Sequence, residues 1–375
     1  MSSSTNSELQ YQIALAMAPA IGPITARKLI KKSGSARAVF RQNKAILEKI
    51  EGIGPVVSGS LSSASLLHQA EKELEFLDRY RISAFYFKDA EYPARLKECE
   101  DAPILLYTRG SKGLNSKRAL SVVGTRKASS YGKELCRSIV LDLSCMINDL
   151  VIISGLAFGI DVIAHRAALE GGIPTVAVLG HGLSTLYPHA HRETAKKICG
   201  QGALVTDFHS GMGPERNNFL RRNRIIAGMA DATLVVESAS SGGALITADM
   251  ASSYQRDVLA VPGRSTDERS RGCNGLIKKN VAAMVESAQD VIDHLNWTDD
   301  ITQTPKHRSK KISFTEQEKQ VLELMTMHNG LRPEELSSFS DIPIPTMLSL
   351  LTQMELKRWV RVEPGNLYQT IVDLS

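Results

Sequence analysis

Ala119-Leu120-Ser121-Val122-Val123-Gly124-Thr125-Arg126 is the stretch on which the fold turns. A short, largely apolar run rich in valine suits a strand covered on both faces. It ends in a glycine, a hydroxyl and a guanidinium, and a helical stretch starts near Ser129-Ser130-Tyr131-Gly132. The same phrase recurs. Val151–Ser154 runs into Gly155-Leu156-Ala157-Phe158-Gly159-Ile160-Asp161, and Thr175–Leu179 into Gly180-His181-Gly182. Ala232–Val236 runs into Glu237-Ser238-Ala239-Ser240-Ser241-Gly242-Gly243-Ala244. Further strands are expected at Ile82–Phe87, Ile104–Tyr107, Ala203–Thr206 and Val258–Val261. Helical periods lie between them at Lys133–Ile147, Asp161–Leu169, Arg192–Ile198, Arg222–Ala230 and Ala244–Tyr254. Such alternation predicts an α/β fold with a doubly wound, Rossmann-like parallel sheet.

Outward from this centre the pattern changes. Residues 8–66 read as short helices broken by glycine, with a small repeat, Ile21-Gly22-Pro23 and Ile53-Gly54-Pro55. The second copy, Glu51-Gly52-Ile53-Gly54-Pro55, has the Gly-x-Gly turn of a helix-hairpin-helix, which presents free N–H groups to a phosphate. The first copy has Ala20 in place of the leading glycine. We therefore expect an N-terminal helical, SAM-like or helix-hairpin-helix domain over 1–66 and the α/β domain over 67–296. Thr, Gln, Pro, Lys and Arg over 297–312 suggest a solvated linker. In 313–375, helices at Glu316–His328, Pro333–Ser338 and Pro345–Leu356 precede a hairpin of Arg358–Val362 and Leu367–Thr370, the plan of a winged helix.

Composition removes several classes of function. At 375 residues the chain exceeds one core, and 43% hydrophobic with 23% charged residues is ordinary globular usage. No apolar run approaches the ~18–20 residues of a membrane span. Met1–Gln10 is polar and unlike a secretory signal. Five scattered cysteines without a Cys-x-x-Cys pair argue against disulfides or a cysteine zinc site, and for a reducing cytoplasm. The net charge of +5 is mild and unevenly spread: residues 313–375 carry 5 Lys/Arg against 9 Asp/Glu. Pro345–Leu356 offers Thr346, Ser349, Thr352 and Gln353 but no basic residue, so protein contact or regulation suits this module better than tight duplex binding.

In open α/β sheets ligands sit at the carboxyl ends of strands, and each glycine turn at a helix start is an anion cradle. Gly124, Thr125 and Arg126 follow the first such strand. The densest feature is Arg216-Asn217-Asn218-Phe219-Leu220-Arg221-Arg222-Asn223-Arg224, four arginines and an aromatic at a helix entry. Guanidiniums clamp phosphates, and Phe219 can stack on an unpaired base. Against nucleic-acid contact stands pairing of these arginines with Glu215, Asp231 or Glu237. His181, His189 and His191 lack a carboxylate or cysteine in zinc-ligand spacing. Asp161 and His165, i and i+4, read as a helix cap and a packed histidine rather than an acid–base pair. No cofactor or metal is expected.

Several of these segments, with others, resemble the DNA-processing protein A family in order along the chain. They are Tyr92-Pro93-Ala94-Arg95-Leu96, Ala102-Pro103-Ile104-Leu105-Leu106-Tyr107, Val122-Val123-Gly124-Thr125-Arg126, Ser154-Gly155, Gly159-Ile160-Asp161, Arg222-Asn223-Arg224-Ile225-Ile226-Ala227-Gly228, Ser241-Gly242-Gly243-Ala244-Leu245-Ile246-Thr247-Ala248 and Ala260-Val261-Pro262-Gly263. The resemblance covers about residues 80–290. It implies a non-enzymatic single-stranded DNA-binding protein that protects incoming DNA and loads RecA recombinase during natural transformation, as a homodimer through the Rossmann-like domain. Arg126, Arg222 and Arg224 would clamp phosphates and Phe219 would stack. Ser154, Gly155, Gly180, Arg221, Asn223, Ser241, Gly242, Gly243 and Thr247 complete the expected DNA-binding set with Gly124 and Thr125. The competing readings are a phosphoribohydrolase of the lysine-decarboxylase-like type and a winged-helix transcriptional regulator.

Overall fold

The computed structural model describes residues 3–61, 64–298, 314–328, 330–357, 359–363 and 365–371. The chain divides into two compact units, Met1–Lys306 and His307–Ser375. In the first, helices α1 (Ser3–Met17), α2 (Pro23–Ser33), α3 (Ala36–Arg41), α4 (Lys44–Leu47), α5 (Pro55–Ser60) and α6 (Ala64–Tyr80) come first. Strand and helix then alternate: β1 (Ser83–Tyr86), α7 (Ala94–Lys97), β2 (Leu105–Arg109), β3 (Arg118–Val123), α8 (Ser130–Met146), β4 (Leu150–Ser154), α9 (Ile160–Glu170), β5 (Thr175–Val178), α10 (Arg192–Gln201) and β6 (Ala203–Thr206). They continue as α11 (Arg216–Gly228), β7 (Ala232–Val235), α12 (Gly243–Ser253), β8 (Asp257–Ala260), α13 (Arg271–Lys278), β9 (Ala283–Met284) and α14 (Ala288–His294).

Among the described residues these nine strands form one sheet in the order β1-β2-β6-β5-β4-β3-β7-β8-β9. The seven from β6 to β9 run parallel, and β1 and β2 add antiparallel at the β6 edge. Period-two alternation puts both faces in core. Val151 and Ile153 of β4 join one apolar layer with Ile225 and Ile226 of α11, while Leu150 and Ile152 join the other with Ile139 and Leu143 of α8. The Rossmann-like expectation is met. The chain leaves β3 for α8 on one face and β7 for α12 on the other, so the order reverses between β3 and β7. That is the switch point where such sheets open a crevice.

Two expected boundaries move. A boundary at 66/67 falls inside α6, whose Leu77 shares one buried cluster with Ile13 of α1, Ile30 of α2 and Leu105 and Tyr107 of β2. The helical segment and the sheet edge are thus one packed body. The expected linker began at Trp297, but this ring is 2% exposed in the α/β core, with the Arg118 guanidinium 5.6 Å from its centroid. Residues 299–312 of that linker lie outside the described residues.

The second unit has the winged-helix plan. Helices α15 (Glu316–His328), α16 (Pro333–Ser340) and α17 (Ile344–Leu356) are followed by the hairpin β10 (Val360–Glu363) and β11 (Leu367–Thr370). Val321, Leu336, Met347, Leu351 and Val360 form its core. Arg358, expected to open the first wing strand, lies outside the described residues.

Candidate functional site

A cleft of about 850 Å³ opens at the switch point between β3 and β7. Its walls are the turn after β3, the turn after β4, the first half of α11 and the turn from β7 into α12. Backbone hydrogen bonds splice these turns: Thr125 N donates to Glu237 O (2.7 Å), and Ile160 N donates to Thr125 O (3.2 Å). Gly159 makes the approach possible. It sits at φ +79°, and a Cβ there would fall 2.1 Å from Thr125 O. Glu237, one of the acids weighed as an arginine partner, is instead buried and accepts from both the backbone and hydroxyl of Ser129 at the head of α8.

Of the expected site residues, Gly124, Thr125, Arg126, Phe219, Arg222, Asn223, Ser241, Gly242, Gly243 and Thr247 line this one cleft. Arg126 is exposed, with its guanidinium 5.8 Å from the Phe219 ring centroid. Phe219 leans on Gly180 and lies 5.7 Å from the ring of Tyr187, which is 43% exposed. At the other wall α12 starts at Gly243 with no side-chain cap, so its first amides face the cleft. Asn223 donates to Gly243 O (3.2 Å) and Thr247 Oγ1 to the same oxygen (3.0 Å), which holds that turn against α11.

Four expected contacts need correction. Arg222 is buried and donates to the carbonyls of Gly155 (2.8 Å) and Val178, so it braces the cleft floor rather than clamping a ligand. Burial pushes its pKa down to about 10, and the Asp161 carboxylate pulls the other way. Gly155 serves this brace: a Cβ there would sit 2.4 Å from Arg222 Nη1. Arg224 does not line the cleft; it pairs with Asp207 and donates to Asp101 O. Ser154 is fully buried within the sheet, its hydroxyl donating to Val122 O (2.6 Å). Arg221 faces a neighbouring groove, over the Phe208 ring at 5.3 Å. The reason is helical: successive residues turn by about 100°, so one α11 run serves core, cleft and groove in turn.

Asp161 lines the cleft but is 7% exposed, and burial raises its pKa against the lowering effect of Arg222. His165 is fully buried, with Nδ1 2.7 Å from Thr175 Oγ1, and burial lowers its pKa to about 3. His165 is packed, as expected, but Asp161 is not the expected cap: Gly159 stands at the head of α9, and the Asp161 carboxylate accepts instead from Ala157 N (3.4 Å). His181 and His191 brace backbone, at Gly182 O (2.9 Å) and Leu156 O (2.8 Å). Among the described residues no group of three His, Cys, Asp or Glu side chains is placed to hold a metal ion. The site set drawn from sequence lacks Arg216, Tyr187, Leu220 and Ile246, all lining the cleft. Arg216 belonged to the quoted arginine run. Tyr187 follows a loop whose return to the strand ends no local pattern announces.

Residues 83–296 match the family described as DNA recombination-mediator protein A. The chain is 39% identical over 212 residues to the DNA processing protein DprA of Streptococcus pneumoniae, covering 56% of this chain and 74% of that one. It is 34% identical over 304 residues to a putative DNA processing protein DprA of Mycobacterium tuberculosis, covering 77% of each. The X-ray structure of the S. pneumoniae protein superposes with a TM-score of 0.64 at 30% identity, covering 76% of this chain and 97% of that one. A Helicobacter pylori DNA processing protein A structure, described for its single-stranded DNA binding mode, gives 0.53 at 26% identity, covering 59% and 98%.

Proposed function

Since this chain belongs to the DNA recombination-mediator protein A family, we propose that its switch-point cleft binds single-stranded DNA without sequence preference. The carrying observation is the pairing of Arg126 with the half-buried ring of Phe219 and the exposed ring of Tyr187, opposite the uncapped start of α12. Guanidinium and helix amides take phosphate oxygens, and the rings stack on bases that only an unpaired strand presents. A paired duplex hides those base faces. The likeness to a protein described for single-stranded DNA binding supports the same reading.

From the family we extend the proposal to protection of incoming strands and loading of RecA recombinase during natural transformation, by a homodimer formed through the α/β unit. The protein acts here as a mediator rather than as a catalyst. The test is a fluorescence anisotropy titration of a labelled single strand at several salt concentrations, with the matching duplex as competitor. Single-strand preference that weakens with salt supports the reading; equal competition by duplex overturns it. RecA filament growth with and without the protein tests loading, and sedimentation tests the dimer.

A further inference from the structure

The turn from β4 into α9 carries Phe158, which stands beside the cleft and outside its lining. Two left-handed positions bracket this residue, Leu156 at φ +56° and Gly159 at φ +79°. Leucine adopts that conformation only where its surroundings enforce it. Here they do. Leu156 is fully buried, and His191, itself 3% exposed, sets Nδ1 2.8 Å from Leu156 O. The turn is therefore fixed, and it holds an aromatic ring out of the core. Phe158 is 47% exposed and joins none of the buried apolar clusters among the described residues. Its ring rests edge-on against His191, with centroids 4.8 Å apart.

Single exposed apolar side chains are common and call for no explanation by themselves. Phe158 differs in its neighbours. Gly159, the next residue, lies so close to the turn after β3 that a Cβ on it would fall 2.8 Å from Arg126 Cα. Phe158 then shares a crevice with Arg126, Tyr187 and Phe219, three residues of the cleft. That crevice holds about 20 Å³, room for a water and not for a base. A base can therefore only lie across its rim, against the exposed side of Phe158. Three aromatic rings border one crevice with one exposed guanidinium, and Phe158 is the ring that lies outside the cleft. Ring faces spaced around a phosphate-binding cation are what an unpaired strand tracks along.

We propose that Phe158 stacks on a base of the bound strand just outside the cleft, next to the phosphate held by Arg126. The inference rests on the single-strand reading above and extends the bound path past the cleft mouth, over the turn between β4 and α9.

The test uses the full chain with a labelled single strand of about 20 nucleotides and an abasic strand of the same length. Phe158→Ala should weaken the base-bearing strand about 5–10-fold, the lower range for one stacked base, and leave the abasic strand unchanged. Phe158→Tyr keeps a ring and should bind as the parent does. Because the ring lies outside the core, both variants should melt with the parent. In Phe158→Trp the strand should quench emission beyond the parent's, whose Trp297 is buried and whose Trp359 lies in the second unit. Parent-like affinity of Phe158→Ala, with Arg126→Ala impaired, overturns the Phe158 contact and spares the cleft. Equal weakening of both strands, or quenching in Phe158→Trp no greater than the parent's, also overturns it. A smaller sedimenting species in Phe158→Ala, with no added quenching in Phe158→Trp, would give the ring to a contact between subunits and overturn the stacking role. A parent without single-strand preference removes both readings.

Discussion

Arg126 follows the glycine turn after β3 and Arg224 lies within α11, and packing separates their roles. Arg126 is exposed at the cleft; Arg224 is buried against Asp207, with 9% and 6% of the two side chains exposed. Arg126→Ala should therefore weaken single-strand affinity about tenfold, the worth of a charge-assisted contact, with the melting temperature unchanged. Arg224→Ala should lower stability by about 3–5 kcal/mol in denaturant unfolding, because it leaves the Asp207 carboxylate buried and unpaired. The opposite pattern would exchange the two assignments. His165 adds a pH dependence. Its folded pKa of about 3 lies below the ordinary 6.5, so the unfolded chain binds one more proton between those values. Its contribution to stability is full above pH 6.5 and falls away by about 1.4 kcal/mol per pH unit as acid is added toward 3. Asp161, raised by burial, works in the reverse sense, so the comparison to make is parent against His165→Gln, whose stability should be flatter across that window. Identical pH profiles would remove His165 from the acid response. The residue identities were legible in the sequence. Their division between cleft, core and groove was not, since a run of four arginines does not carry the positions of Asp207, Gly155 O and Val178 O.

At the scale of elements the sequence is most readable where strands are longest buried. β3, β4, β6 and β7 stand within a residue of the apolar runs that announced them. What escaped was set by distant partners. β9 is only Ala283–Met284 and exists because β8 offers it an edge. α6 crosses the expected domain boundary because its apolar face packs on α1 and the sheet edge. In the sequence the glycine turns are legible only as anion cradles, whereas Gly155 makes room for the Arg222 guanidinium. Gly155→Ala should push the guanidinium from the carbonyls of Gly155 and Val178, lowering stability by about 1–3 kcal/mol as a buried polar group loses partners. Because Arg222 floors the cleft, single-strand affinity should fall with it. A variant as stable as the parent, with affinity retained, would show that the brace is dispensable.

For the whole molecule, charge distribution bears on which unit would hold the proposed single strand. A net charge of +5 over 375 residues makes no strong field, so affinity must arise from local contacts such as Arg126. For single strands, log affinity falls against log salt with a slope of about −0.7 per phosphate neutralised, so Arg126→Ala should flatten that slope by about 0.7. The winged-helix unit carries 5 Lys/Arg against 9 Asp/Glu over 313–375. Lys357, at the end of α17, lies 2.7 Å from Glu318 and over the Trp359 ring at 4.3 Å, which holds its charge against the module itself. The face of α17 that leaves the core presents Ile344 and Leu348 rather than cations. A chain ending at residue 306 should fold on its own core, bind single strands with the parent's affinity, and show the parent's salt slope. Loss of affinity on that truncation, with the melting transition of Met1–Lys306 intact, would move part of the phosphate contact into residues 307–375, whose Arg308, Lys310 and Lys311 precede the winged helix. Unchanged binding leaves that unit's apolar, acidic surface for contact with protein.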